Sequence, residues 1–153
     1  MNAIFYRRRL PHIRGDGATY FVTWRLRRGQ LDLSADERDC VVASFRHFDG
    51  VRYVLHAYVV MNDHVHVLVR TNADFRLEDV ISAWKSFTTN RLQRQFGRSG
   101  AVWQDEYFDR VVRDDDEYDQ KRDYILNNPQ KRWPEIEAYQ WRWAIGMDLS
   151  APP

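Results

Sequence analysis

The sequence predicts an α+β fold of the ferredoxin-like kind, an antiparallel sheet with helices packed on it. Three observations lead there. Residues 18–26 alternate apolar and polar side chains at a period of two, as a half-buried strand does. Two β-branched runs, 51–61 and 64–70, are separated only by Asn62-Asp63, which is a two-residue hairpin turn. Segments with helical spacing follow the first strand and the hairpin. The resulting order is strand, helix, hairpin, helix, strand, helix, which closes into an α+β sandwich. With 153 residues and 44% hydrophobic composition, the chain suits one core. Residues 1–146 are expected to form a single domain that opens on a basic arm, with 147–153 as a short tail.

Each element has its own signal. Pro11, Gly15 and Gly17 make residues 1–17 an irregular arm. In the first strand Tyr20, Val22, Trp24 and Leu26 share one face, and Thr19, Phe21, Thr23 and Arg25 the other. Ser34-Ala35-Asp36-Glu37 is a capping box. It opens a helix whose buried stripe is Val41, Val42, Phe45 and Phe48, and Gly50 ends it. The second helix spans about 75–96, with Leu77, Val80, Ile81, Trp84 and Thr88 inward and Gly97 and Gly100 after it. A fourth, short strand is expected at 107–112. Asp114 with Glu117 caps a third helix that Pro129 should stop at Asn128. The tail from Gln130 onward is rich in tryptophan and reads as irregular.

Bulk properties narrow the function classes. A single cysteine, Cys40, excludes an internal disulfide and favours a reducing setting. The basic start has no apolar h-region, and the longest apolar stretch, 53–61, is too short to span a bilayer. A soluble, cytoplasmic protein without a membrane partner is expected. Net charge is only +1, but it is unevenly spread. Arg7, Arg8, Arg9, Arg14, Arg25, Arg27 and Arg28 face a single acid within residues 1–30, whereas residues 105–123 carry nine acids against four bases. Such asymmetry predicts a basic face and an acidic element elsewhere.

The residues with the clearest chemistry are His64 and His66. At strand spacing both imidazoles point the same way, a ready pair of metal ligands. The third helix adds a tyrosine. Tyr118 and Ile125 are seven residues apart and take its core face. Tyr124 is rotated away from them, among Gln120, Lys121, Asn127 and Asn128. Asn128, one turn beyond Tyr124, can offer its amide oxygen to a metal shared with the histidines.

At these residues the chain resembles the REP-associated tyrosine transposases, single-tyrosine transposases of bacterial insertion sequences within the HUH endonuclease superfamily. The likeness covers about residues 5–133. It runs through Arg8-Arg9-Leu10-Pro11-His12, Gly17-Ala18-Thr19-Tyr20-Phe21-Val22-Thr23, Ala57-Tyr58-Val59-Val60-Met61-Asn62-Asp63-His64-Val65-His66, Val102-Trp103-Gln104-Asp105-Glu106-Tyr107-Phe108-Asp109-Arg110 and Tyr124-Ile125-Leu126-Asn127-Asn128-Pro129. Two departures stand out. Asn62-Asp63 replaces the family's usual Pro-Asn before the histidines. Gln130-Lys131-Arg132-Trp133-Pro134 replaces its small-residue and leucine pattern after the proline.

The resemblance implies His64 and His66 as metal ligands, Asn128 as a third, and Tyr124 as a nucleophile that leaves a 5′-phosphotyrosine and a free 3′-OH. It implies Mg²⁺ or Mn²⁺ as the metal, single-stranded DNA with REP-like hairpins as the partner, and a nucleoid-associated place in the cytoplasm. Arg7, Arg8, Arg9, Arg14, Arg25, Lys85, Arg91 and Lys121 are the candidate phosphate contacts, with Arg94 beside them, and Phe5, Tyr6 and Trp24 are candidates for base stacking. Related transposases dimerise by exchanging the tyrosine helix. Here the short link from the fourth strand to the third helix favours a monomer, with a homodimer as the alternative. A DNA-binding protein of the same fold without cleavage activity is the rival reading.

Overall fold

The computed structural model describes residues 17–147. Its elements are β1 (Thr19–Arg25), α1 (Ala35–His47), β2 (Tyr53–Val60), β3 (His64–Thr71), α2 (Leu77–Phe96), β4 (Phe108–Val111), α3 (Asp115–Arg132) and β5 (Arg142–Ala144). The strands form one sheet in the order β4-β1-β3-β2-β5, with every neighbouring pair antiparallel. The first four strands with α1 and α2 make the expected ferredoxin-like sandwich. The basic arm, with Arg7, Arg8, Arg9 and Arg14, lies outside the described residues.

The two faces of the sheet are covered differently. On one, Val22 and Trp24 of β1 and Val65, Val67 and Val69 of β3 pack against α1 through Val41 and Phe45, and against α2 through Val80, Ile81 and Trp84. Trp24 stacks on Trp84 at 5.8 Å and meets Trp103 edge-on at 6.2 Å. Two of the indole tips buried here have partners: Trp103 Nε1 donates to Thr88 Oγ1 (2.8 Å) and Trp84 Nε1 to the Tyr53 hydroxyl (2.9 Å). On the other face Phe21, Ala57, Val59, Met61 and Leu68 pack against Tyr118, Ile125 and Leu126 of α3. The alternation assigned to β1 therefore holds, and so does the core role of Tyr118 and Ile125.

A bulge in β2 sets which side chains reach α3. The pairing with β3 shifts between Leu55 and Ala57, so His56 is an extra residue. Leu55 belongs to the α1/α2 core, yet Ala57, two residues on, belongs to the α3 core. Without the extra residue Ala57, Val59 and Met61 would point away from α3. His56 itself meets α3, its Nδ1 2.5 Å from the Tyr118 hydroxyl.

Both capping readings are borne out. Ser34 and Glu37 make reciprocal bonds of 3.2 and 2.9 Å, and Asp114 accepts from the Glu37-equivalent position of α3, the Glu117 amide, at 2.7 Å. The Asn62-Asp63 hairpin is also as expected, with the Met61 amide donating to the His64 carbonyl at 2.8 Å. The turn is tied to the chain after β1: its carbonyls accept from Leu33 (2.7 Å) and Leu26 (2.8 Å).

Two expectations require correction, and they share a cause. α3 does not stop at Asn128; it continues through Pro129 to Arg132. The tail is not wholly irregular, because Arg142–Ala144 pairs with β2 as β5. A proline costs the preceding turn one amide donor. The carbonyl left without an amide is that of Ile125; Arg142 of β5 braces the same turn one residue on, bonding the Leu126 carbonyl and Gln130 Oε1, each at 2.8 Å. The strand thus secures the helix turn that the proline weakens.

Candidate active site

His64 and His66 lie on the α3 face of β3, opposite Arg25 and Thr23 of β1. Their ring centroids are 4.8 Å apart. Each ring is fixed through Nδ1. The His64 Nδ1–H donates to Asp63 Oδ1 at 2.6 Å, and His66 Nδ1 lies 2.6 Å from Thr23 Oγ1. In His64 this leaves the Nε2 lone pair as the ligating position. His66 is 4% exposed, and its Nε2 is buried with no hydrogen-bond partner. Burial, reinforced by His64, Arg25, Lys121 and Lys131, pushes its pKa down to about 3. The imidazole is therefore neutral at physiological pH, the form that binds a metal. An orphaned buried nitrogen beside a second oriented imidazole fits a divalent cation. Among the described residues no group of three or more His, Cys, Asp or Glu comes together, so a cation here would complete its shell with other oxygen donors.

α3 brings the tyrosine to this pair. The Tyr124 ring lies 5.2 Å from His66 and 5.9 Å from Phe21, and the residue is 40% exposed. Lys121 Nζ sits 4.8 Å over Phe21, and Lys131 Nζ 5.0 Å over Tyr124. Residues 121, 124, 128 and 131 follow helical spacing, so one face of α3 presents two ammonium groups, a phenol and an amide. Asn128, at 6% exposure, is the buried member of that face. A half-exposed phenol, two oriented imidazoles and cations from β1 and α3 therefore come together on one face of the sheet.

Residues 24–128 match the protein family described as Transposase IS200 like. The chain belongs to the IS200-like transposase family. Two solved structures share this transposase fold. One is the REP-associated tyrosine transposase bound to a REP hairpin, at 22% identity and TM-score 0.65, covering 84% of this chain and 73% of that one. The other is a putative transposase from Deinococcus radiodurans R1, at 21% identity and TM-score 0.52, covering 78% of this chain and 97% of that one. No curated protein shows significant sequence similarity to the chain. The resemblance to insertion-sequence transposases read from the sequence is borne out at the family level.

The transposase does not gather every candidate residue at this site. Arg25, Lys121, Tyr124, His64 and His66 come together. Lys85 and Arg91 are on α2, which covers the opposite face of the sheet. Lys85 is engaged there, donating to the Gln104 (2.6 Å) and Asp105 (3.1 Å) carbonyls, and burial lowers its pKa. Arg91 lies over Phe87 on its own helix. Trp24 and Trp103 are buried in the α1/α2 core and have no face free for a base. Three contributors were missed. Lys131 lies past the proline that was expected to end α3. Thr23 depends on the β1–β3 register. Asp63 was visible beside His64, but its signal was that of a turn residue.

Proposed function

We propose that the chain cleaves and rejoins single-stranded DNA through a 5′-phosphotyrosine on Tyr124, as a member of the REP-associated branch of its family. The observation that carries this reading is the exposed Tyr124 ring 5.2 Å from the buried imidazole of His66, whose Nε2 has no partner. The Tyr124 oxygen adds to the scissile phosphorus and the bond from phosphorus to O3′ breaks. The phenol proton passes to solvent, and the departing O3′ takes a proton from solvent to leave as a free 3′-OH. The ester energy is kept in the phosphotyrosine, so a second 3′-OH can reverse the step and join strands. Lys121, Lys131 and Arg25 bear on the negative charge of the phosphate and its transition state. A divalent ion, Mg²⁺ or Mn²⁺, held by His64, His66 and the Asn128 amide oxygen would polarise the phosphate as a Lewis acid.

The partner in this reading is single-stranded DNA beside a hairpin of REP-like repeats; a REP hairpin is the ligand named for the similar solved transposase. Tyr124 and His66 meet within one chain, which favours a monomer. No helix among the described residues is long and apolar enough to cross a membrane, and a nucleoid-associated role fits the DNA chemistry.

The test is denaturing electrophoresis of the protein with end-labelled hairpin DNA from the host's repeats, in Mg²⁺, Mn²⁺ or EDTA, beside Tyr124→Phe. The expected result is a metal-dependent adduct carrying only the downstream DNA and absent from Tyr124→Phe. An adduct that survives Tyr124→Phe would assign the wrong nucleophile. Tight binding without an adduct in any metal would favour the DNA-binding reading.

A further inference from the structure

Phe108 is 55% exposed on β4, an unusual place for a phenyl ring. It lies directly opposite Thr23, which lies directly opposite His66. Directly opposed residues of antiparallel strands project on the same face. Phe108, Thr23 and His66 therefore form one row across the sheet, with Phe108 two strands, about 10 Å, from the buried imidazole. Its ring meets Phe21 edge-on at 6.4 Å, and Phe21 in turn contacts Tyr124 and His66. The edge contact holds the ring and leaves much of its surface open. The same face carries cations: Arg25 lies two residues along β1 from Thr23, and Lys121 sits over Phe21. An open aromatic ring in the same row as His66, on a face that also carries cations, matches the way single strands are held, by base stacking and phosphate contacts.

We propose that Phe108 is a stacking platform for an unpaired nucleobase close to the phosphate attacked by Tyr124. This rests on the single-strand reading above and adds where a base is gripped. The sequence marked Phe108 only as part of a matched segment, and the cleavage chemistry leaves it unused.

The test uses the Tyr124→Phe chain, so that binding is read without cleavage. Fluorescence anisotropy follows hairpin oligonucleotides whose single-stranded flank carries one abasic site, moved position by position. One position is expected to weaken binding roughly 5- to 100-fold, the range of a single base–aromatic stack. Adding Phe108→Ala should cost a similar factor and abolish the penalty at that position, while Phe108→Trp should keep it. Phe108 is exposed, so these variants are expected to fold. Abasic penalties unchanged by Phe108→Ala would overturn the proposal. So would a concentration-dependent dimer in sedimentation that Phe108→Ala dissolves without altering DNA affinity, which would give the ring to a second copy of the chain. Failure of every oligonucleotide to bind would instead overturn the single-strand reading itself.

Discussion

Asp63 holds His64 by one hydrogen bond, and a carboxylate behind an imidazole both fixes the ring and makes its far nitrogen a stronger donor. Asp63→Ala is expected to weaken Mn²⁺ affinity 10- to 100-fold in isothermal titration. Asp63→Asn, which keeps an acceptor oxygen but loses the charge, should fall between the two. The depressed pKa of His66 sets a separate expectation for the metal-free protein. Between about pH 3 and 6.5 the unfolded chain binds a proton that the folded chain excludes. Stability therefore rises with pH across that window, and this group adds no slope above it. Urea midpoints measured from pH 7.5 down to 4 in EDTA should fall more steeply for the native chain than for His66→Gln. Parallel curves would mean that His66 accepts a proton in the folded state. His64 and His66 were legible because strand parity is a local property. Thr23 was not, because its role depends on a register between segments more than forty residues apart.

At the scale of elements, the starts of α1 and α3 were legible because side-chain N-capping is short-range chemistry, and the hairpin was legible because only two residues separate its strands. β5 and the end of α3 were not. Proline is a reliable stop only where nothing else supports the chain beyond it, and that support comes from Arg142, sixteen residues after Leu126. Replacing Arg142 by Met should keep the bulk of the side chain while removing both hydrogen bonds. The expected cost is about 1–3 kcal/mol in urea unfolding, with faster amide exchange confined to the last turns of α3. Lys131 lies in those turns, so the same variant should also bind single-stranded DNA less tightly. Loss of stability spread evenly over the molecule would argue against a local tether. The bulge at His56 was hidden for a related reason, since apolar residues on both faces of the strand leave a change in parity without a mark in the pattern.

For the whole molecule, the sandwich could be read from element order alone, whereas the site is assembled from β1, β3 and α3 and needs the finished topology. Because Tyr124 faces the histidines of its own chain, mixing Tyr124→Phe with His66→Ala should yield no adduct. Recovery of activity in the mixture would mean that helices exchange between copies. The arrangement also bears on kinetics. On the proposed chemistry each chain has one nucleophile and can hold one severed 5′ end at a time. Nicking a strand should then be first order in protein, as should resealing it. Releasing a segment cut at both ends needs two chains at once or two successive turnovers. Under dilute conditions the molecule would act mainly as a reversible nickase, and the yield of excised DNA would climb more steeply than protein concentration.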